Sequence, residues 1–366
     1  SACLVGSEMC IRDRNKTITE LANSDSNEKA KNSNSRLSSL SEKGALGCFV
    51  SSHYKATKKY KKTFIEGILG GFFISLAFVV ALIASKPLDT SVRTVMVSAI
   101  FPLGILLVTF IGGSLYTTNC IGFINAYAKS VKYKQYFLNL TICYLANIVG
   151  SFLVFGIIIL TGILVPYIKG ANGKYLYTDN GNFSEVIANI SFTKLGALGT
   201  LLDKSQTVTV SAIIGTFFSN ILSGIICNIF VCVTLYITFT TKNIAAIFFM
   251  IWLSIFAFVL SQTQHSVANL ILIFCNIAQT ISFNLDSTMN SVTTHHFNTL
   301  MPVYFIGVNL IPSIIGNFLG GGILIPGFVY IINKEKIQKI SKDLASGVYS
   351  EMVEDVKSKI KVSASI

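Results

Sequence analysis

Six apolar stretches, at 64–84, 95–127, 137–165, 208–240, 244–281 and 300–332, alternate with polar segments along the 366-residue chain. A bilayer crossing takes about 20 apolar residues in a helix, so the pattern predicts six membrane helices with both chain ends on one side. Two stretches, 95–127 and 244–281, exceed a single crossing, and each is interrupted by a short polar run. Those runs are Ser114–Asn119 (SLYTTN) and Gln264–Asn269 (QHSVAN), and an apolar segment broken in this way reads as a discontinuous helix. Before the first stretch, residues 1–60 are rich in Ser, Asn, Lys and Glu and are predicted to form a disordered cytoplasmic tail. Their opening, SACLVGSEMCIRDR, resembles translated adapter sequence and carries no functional weight. Residues 61–333 form the predicted membrane domain, and 334–366 a cytoplasmic tail whose alternating charged and apolar residues predict an amphipathic helix.

The two halves of the membrane domain resemble each other. Both polar breaks end in asparagine, at Asn119 and Asn269. The third stretch carries Asn147 and Gly150 where the sixth carries Asn317 and Gly320, and the first and fourth hold Gly67, Gly70 and Gly71 against Gly224. A unit with three crossings must insert its second copy upside down, which predicts an inverted 3+3 repeat with the two broken helices meeting near the midplane. Irregular backbone survives at that depth only inside protein or along a cavity.

Composition agrees: the chain is 52% hydrophobic and 13% charged, where an average soluble domain is about 25% charged. Lys and Arg total 23 on the face that holds both ends and six on the other, which predicts cytoplasmic termini. The formal charge of +12 sits on tails and membrane flanks without interleaved aromatics, so anionic lipid rather than nucleic acid is the expected partner. Eight scattered cysteines form no CxxC pair and read as reduced apolar fillers. Within the spans the acidic side chains reduce to Glu66 at one edge, which argues against an enzyme, a metal site or a cofactor.

One residue breaks the apolar pattern with chemistry. His265 lies between the runs IAAIFFMIWLSIFAFVL and VANLILIF, and an imidazole at membrane depth marks a pathway or a partner. His295 and His296 fall in a polar outer loop and read as solvated. In the loop at about 166–207, Asn182-Phe183-Ser184 and Asn189-Ile190-Ser191 fit the glycosylation pattern.

Four blocks in order carry a specific resemblance. They are Phe101-Pro102-Leu103-Gly104 followed by Leu115-Tyr116-Thr117-Thr118-Asn119; Gly224-Ile225-Ile226-Cys227-Asn228; His265-Ser266-Val267-Ala268-Asn269; and Asn309-Leu310-Ile311-Pro312 leading into Gly316-Asn317. Across roughly residues 60–333 the chain resembles the formate/nitrite transporter family. The resemblance implies an all-α protomer of six transmembrane helices in an aquaporin-like inverted repeat, assembled as a homopentamer. It implies that His265 is the central histidine and Thr117 the threonine facing it, with Asn228 and Asn317 orienting the ring or the substrate. Phe101 and Ile105 match an apolar constriction, Leu115 and Phe258 fall on pore-lining positions, and Lys61 or Lys62 matches a basic residue of the cytoplasmic vestibule. The sequence departs from the family pattern at Ser114 and Gln264, where acidic residues are usual, at Ser254 in place of a proline, and at Ala212, where a lysine is expected.

A carboxylate entering such a conduit must lose its charge, because desolvating an ion costs several kcal/mol. Apolar rings raise the substrate's own pKa, and His265 either supplies the proton or polarises its transfer from water. The expected activity is movement of a small monovalent anion, formate, lactate, nitrite or similar, with a proton across the plasma membrane. The alternative is an aquaporin-like channel for a neutral solute, although the breaks lack Asn-Pro-Ala turns and none of the six predicted stretches holds an arginine.

Overall fold

A computed structural model describes residues 40–165, 183–241, 243–285 and 299–345, and every regular element among them is helical. In chain order these are α1 (Leu40–Thr57), α2 (Tyr60–Ser85), α3 (Thr90–Ile111), α4 (Tyr116–Asn119), α5 (Phe123–Tyr127), α6 (Tyr133–Thr161), α7 (Phe183–Lys194), α8 (Gly196–Asp203), α9 (Val210–Ile237), α10 (Ile244–Leu260), α11 (Asn269–Leu285), α12 (Met301–Ile332) and α13 (Lys334–Ala345). Five helices, α2, α3, α6, α9 and α12, are long and apolar enough to cross a membrane, while α10 and α11 are shorter apolar helices. Large apolar side chains stand outward from them, among them Leu160, Phe218, Leu222 and Ile331. Such an exposed belt needs lipid or a neighbouring subunit to cover it.

Both breaks fall at the expected residues, and the backbone accounts for them. Helix α3 stops at Gly112, whose φ of +102° is left-handed and suits a residue without a β-carbon; α10 is followed by Gln262, left-handed at φ +53°. The same hydrogen bonds then brace each break. Asn147 Oδ1 accepts from the Tyr116 amide at 2.9 Å, and its Nδ2 donates to the carbonyls of Gly67 and Ser114. Asn317 Oδ1 accepts from the Ser266 amide at 2.9 Å, and its Nδ2 donates to the carbonyls of Gly224 and Gln264. Asn119 Nδ2 reaches back to Ser114 Oγ at 2.9 Å just as Asn269 Nδ2 reaches Gln264 Oε1 at 3.0 Å. Buried backbone without a helical partner is thereby satisfied by side chains.

Glycines let the bracing helices close up. A β-carbon on Gly71 would strike the Asn147 backbone, and one on Gly316 would strike the carbonyl of Ile221. Helix α12 accommodates its close contacts by widening into π-type turns at Ile306–Leu310 and Leu319–Leu324.

The tail expected over 1–60 differs in its last third. Residues Leu40–Thr57 are helical, with Phe49 and Val50 buried against Ile124 and against Ile337 and Ile340 of α13. Gly44 and Gly47 lie against the Tyr236 and Phe239 side chains, which a β-carbon at either position would have to displace. Short, apolar docking surface rather than composition orders this segment. Residues 1–39 and 346–366, Asn182, His295 and His296 lie outside the described residues.

Candidate functional site

The two breaks meet at His265 and Thr117. His265 Nε2 stands 3.2 Å from Thr117 Oγ1, and its Nδ1 accepts the amide hydrogen of Ala268 at 3.0 Å. An imidazole whose Nδ1 accepts carries its hydrogen on Nε2, so the ring donates to the threonine. Both residues are buried, His265 at 3% exposure and Thr117 at 0%.

Two asparagines hold this pair from behind. Asn228 Nδ2 donates to the carbonyl of Thr117 at 3.1 Å and to that of Asn317 at 2.6 Å. Asn317 spends its amide on the second break, and neither asparagine makes a hydrogen bond to the imidazole. They set the loops that carry His265 and Thr117.

On one side of the pair lies a cavity of about 230 Å³ whose wall includes His265, Phe101 and Phe258. The Phe258 ring is stacked on the imidazole at 5.7 Å between centroids, Phe101 meets Phe258 edge-on at 5.9 Å, and Phe78 meets Phe101 at 5.6 Å. Phe101, Ile105, Leu115 and Phe258 are all buried. A second cavity of about 10 Å³, lined by Thr118, Asn119, Tyr136, Asn139 and Lys55, has room for about one water.

Two cations line the wide cavity, Arg93 of α3 and Lys194 at the end of α7, and Lys194 is the one tied to the second break. Its Nζ donates to Gln264 Oε1 at 3.1 Å, and that oxygen also accepts from Asn269 and Asn309 at 3.0 Å each. A glutamine takes the place where a carboxylate is usual, so among the described residues no acid neutralises Lys194. Burial pulls its ammonium from 10.5 down to about 8.

Sequence spacing misses Lys194, because the family pattern puts a lysine inside the fourth span, where this chain has Ala212. The chain supplies it from the preceding segment, which doubles back at Leu195 and Gly196 (φ +55°). Phe78 was also missed; nothing in the sequence separates it from the other phenylalanines. Lys61 and Lys62 are exposed and line neither cavity, whereas Lys55 lines the small one. Asn189 faces the wide cavity from α7, and Ser191 of its glycosylation pattern is buried. The six described cysteines are free and buried. Among the described residues no group of His, Cys, Asp and Glu could hold a metal ion.

A family model described as formate/nitrite transporter matches residues 45–332. The formate channel FocA of Escherichia coli (strain K12) is 28% identical over 281 residues, covering 76% of this chain and 88% of that protein. A formate-nitrite transporter of Plasmodium falciparum is 24% identical over 305 residues, covering 80% and 85%. Among solved structures, an FNT family ion channel superposes with a TM-score of 0.58 at 21% identity, over 79% of this chain and 98% of the other. A pentameric formate channel with formate bound gives 0.57 at 23% identity, over 75% and 97%. At these identities the two structures speak for the fold.

Proposed function

Since the chain belongs to the formate/nitrite transporter family, we propose that it moves a small monovalent anion, formate, lactate, nitrite or similar, together with a proton. The observation that carries this reading is the 3.2 Å approach of His265 Nε2 to Thr117 Oγ1 at the wall of the wide cavity. A hydrogen-bonded imidazole stands where the two breaks meet, and aromatic rings flank it.

The steps follow from solvation. Lys194, without an acidic partner, draws the anion into the wide cavity. Beside Phe78, Phe101 and Phe258 the anion loses water, its charged form is disfavoured, and it takes up a proton. The neutral acid passes His265 and Thr117 and ionises again beyond them. His265 polarises that proton transfer through its Nε2 hydrogen, and each event carries one anion and one proton. The neutral-solute channel raised by the sequence gains no support from the family match.

The repeated bracing by Asn147 and Asn317 supports six spans in an inverted 3+3 arrangement, the fifth formed by α10 and α11. Both termini are then cytoplasmic and the wide cavity opens outward. Five protomers assemble in the plasma membrane, with exposed apolar faces against one another and against lipid, and exposed lysines such as Lys61, Lys62 and Lys334 at the anionic headgroups.

Uptake of labelled formate, lactate and nitrite into proteoliposomes tests the reading at about pH 5.5 and about pH 7.5. Uptake is expected to be faster at the lower pH and to be lost in His265→Phe while the variant still inserts and assembles. Undiminished proton-coupled uptake by a correctly inserted His265→Phe protein overturns it.

A further inference from the structure

We propose that Trp252 is a positioning residue that ties α10 to α3, and so sets the spacing of Phe101 and Phe258 and the size of the acid that passes between them. The inference rests on the reading of the chain as an anion transporter and deepens it by naming what limits the size of the substrate.

The tether begins at a break inside α3. Pro102 has no amide hydrogen and its ring crowds the preceding turn, so the regular helical bonding lapses at Phe101. The Phe101 amide still donates to the Val97 carbonyl at 2.9 Å, but the Gly104 amide turns to the Phe101 carbonyl at 3.0 Å. Carbonyls in between lose their usual donors. Trp252 Nε1 crosses from α10 and donates to one of them, that of Ala99, at 2.9 Å. At membrane depth no bulk water stands in for such a donor.

The two halves of the chain divide this task. Counted back from the matching asparagines Asn119 and Asn269, Pro102 and Trp252 fall at the same position. The first half opens its helix there, whereas the second keeps α10 continuous from Ile244 to Leu260 and carries the donor. Stacking on Phe256 at 5.2 Å and Phe249 at 6.5 Å between centroids seats the indole.

The bond joins the helices that bear the facing rings. Ala99 lies in the turn that leads to Phe101, and Trp252 shares α10 with Phe258. Phe101 meets Phe78 of α2 edge-on at 5.6 Å on one side and Phe258 at 5.9 Å on the other. Phe78 keeps Phe101 with α2, so movement of α10 away from α3 parts Phe101 from Phe258. Apolar helices in lipid gain little from the hydrophobic effect, and packing and interhelical hydrogen bonds hold them together. Loss of the indole hydrogen therefore loosens the aromatic pair.

Uptake of formate and of the larger lactate into proteoliposomes, compared as a ratio, tests the tether. Trp252→Phe keeps an aromatic ring and removes the hydrogen, and it is expected to raise the lactate-to-formate ratio about fivefold. Phe249→Leu removes a stacked ring but keeps the hydrogen bond, and it is expected to change the ratio by less than about twofold. An unmoved ratio in Trp252→Phe, or equal shifts in both variants, overturns the proposal. Trp252 is the only tryptophan of the chain, so its single indole N–H resonance in the detergent-solubilised wild type reads the bond without any variant. A downfield, hydrogen-bonded position is expected, and the position of a free indole overturns the tether even where Trp252→Phe fails to insert. Absence of wild-type uptake sinks the transporter reading and this inference with it, whereas formate uptake with an unmoved ratio sinks the inference alone.

Discussion

Thr117 receives the Nε2 hydrogen of His265 at 3.2 Å while its own carbonyl receives the Asn228 amide at 3.1 Å, so one residue links the imidazole to the bracing behind it. The hydroxyl does the first job and the backbone the second, and substitution can separate them. Thr117→Val keeps shape and backbone but removes the acceptor, leaving a buried imidazole hydrogen unpaired. Uptake is expected to fall about tenfold or more, and Thr117→Ser to recover most of it. Equal rates for the valine and serine variants in a proteoliposome assay would show that the hydroxyl is dispensable.

Asn147 and Asn317 each make three buried hydrogen bonds, two to a break and one to a glycine carbonyl of the helix packed beside it. Alanine at either position strands one amide and two carbonyls in a site that water does not reach. Each substitution is expected to destabilise the fold by about 3 kcal/mol, seen as a lower melting temperature in detergent. The two are expected to differ in function. Asn317 braces the loop bearing His265 and accepts at its carbonyl from Asn228, so Asn317→Ala is expected to depress uptake more than its melting loss explains. Wild-type melting in both variants would remove the asparagines from the frame.

Much of this centre is legible in the chain because membrane burial makes polar residues conspicuous. Ser114–Asn119, Gln264–Asn269, Asn147 and Asn317 stand out against apolar surroundings, and the structure places all four at the breaks. What stays hidden depends on contacts between distant segments. Helix α1 has a weakly apolar sequence containing Gly44 and Gly47, and only the fit of those glycines against Tyr236 and Phe239 shows why it docks. Lys194 is invisible to spacing because a turn, not a helical repeat, brings it to Gln264. The family resemblance implies that Asn228 and Asn317 orient the ring or the substrate, and the hydrogen bonds show that their amides hold the backbone of the two breaks.

Gly321 marks how little room lies behind Thr117. A β-carbon there would collide with the Asn228 amide nitrogen and approach Cys232 Sγ to 2.6 Å. Gly321→Ala is expected to push Asn228 off the Thr117 carbonyl and to reduce uptake strongly. Gly156 in α6 has nothing within 4 Å of the same position, so Gly156→Ala is expected to leave uptake intact and to stabilise the helix by up to about 1 kcal/mol. Matching uptake by the two variants would show that the packing behind Thr117 does not govern the path.

Lys194 ties anion capture to pH. Burial holds its ammonium at about 8, so the group is charged at neutral pH and loses its charge as the pH rises through that value. Attraction for the anion is therefore expected to be present below about pH 8 and lost above it, with the half-saturating formate concentration rising between about pH 7 and about pH 9. Falling proton supply also slows symport over this range, so variants must isolate the lysine. Lys194→Arg keeps its charge throughout, because a guanidinium does not deprotonate in proteins, and is expected to flatten the profile. Lys194→Gln is expected to show a raised half-saturation below about pH 8 and to converge with the wild type above it. Parallel profiles for the wild type and Lys194→Arg would mean that the alkaline loss belongs to the proton alone, and that Lys194 has no part in drawing the anion in.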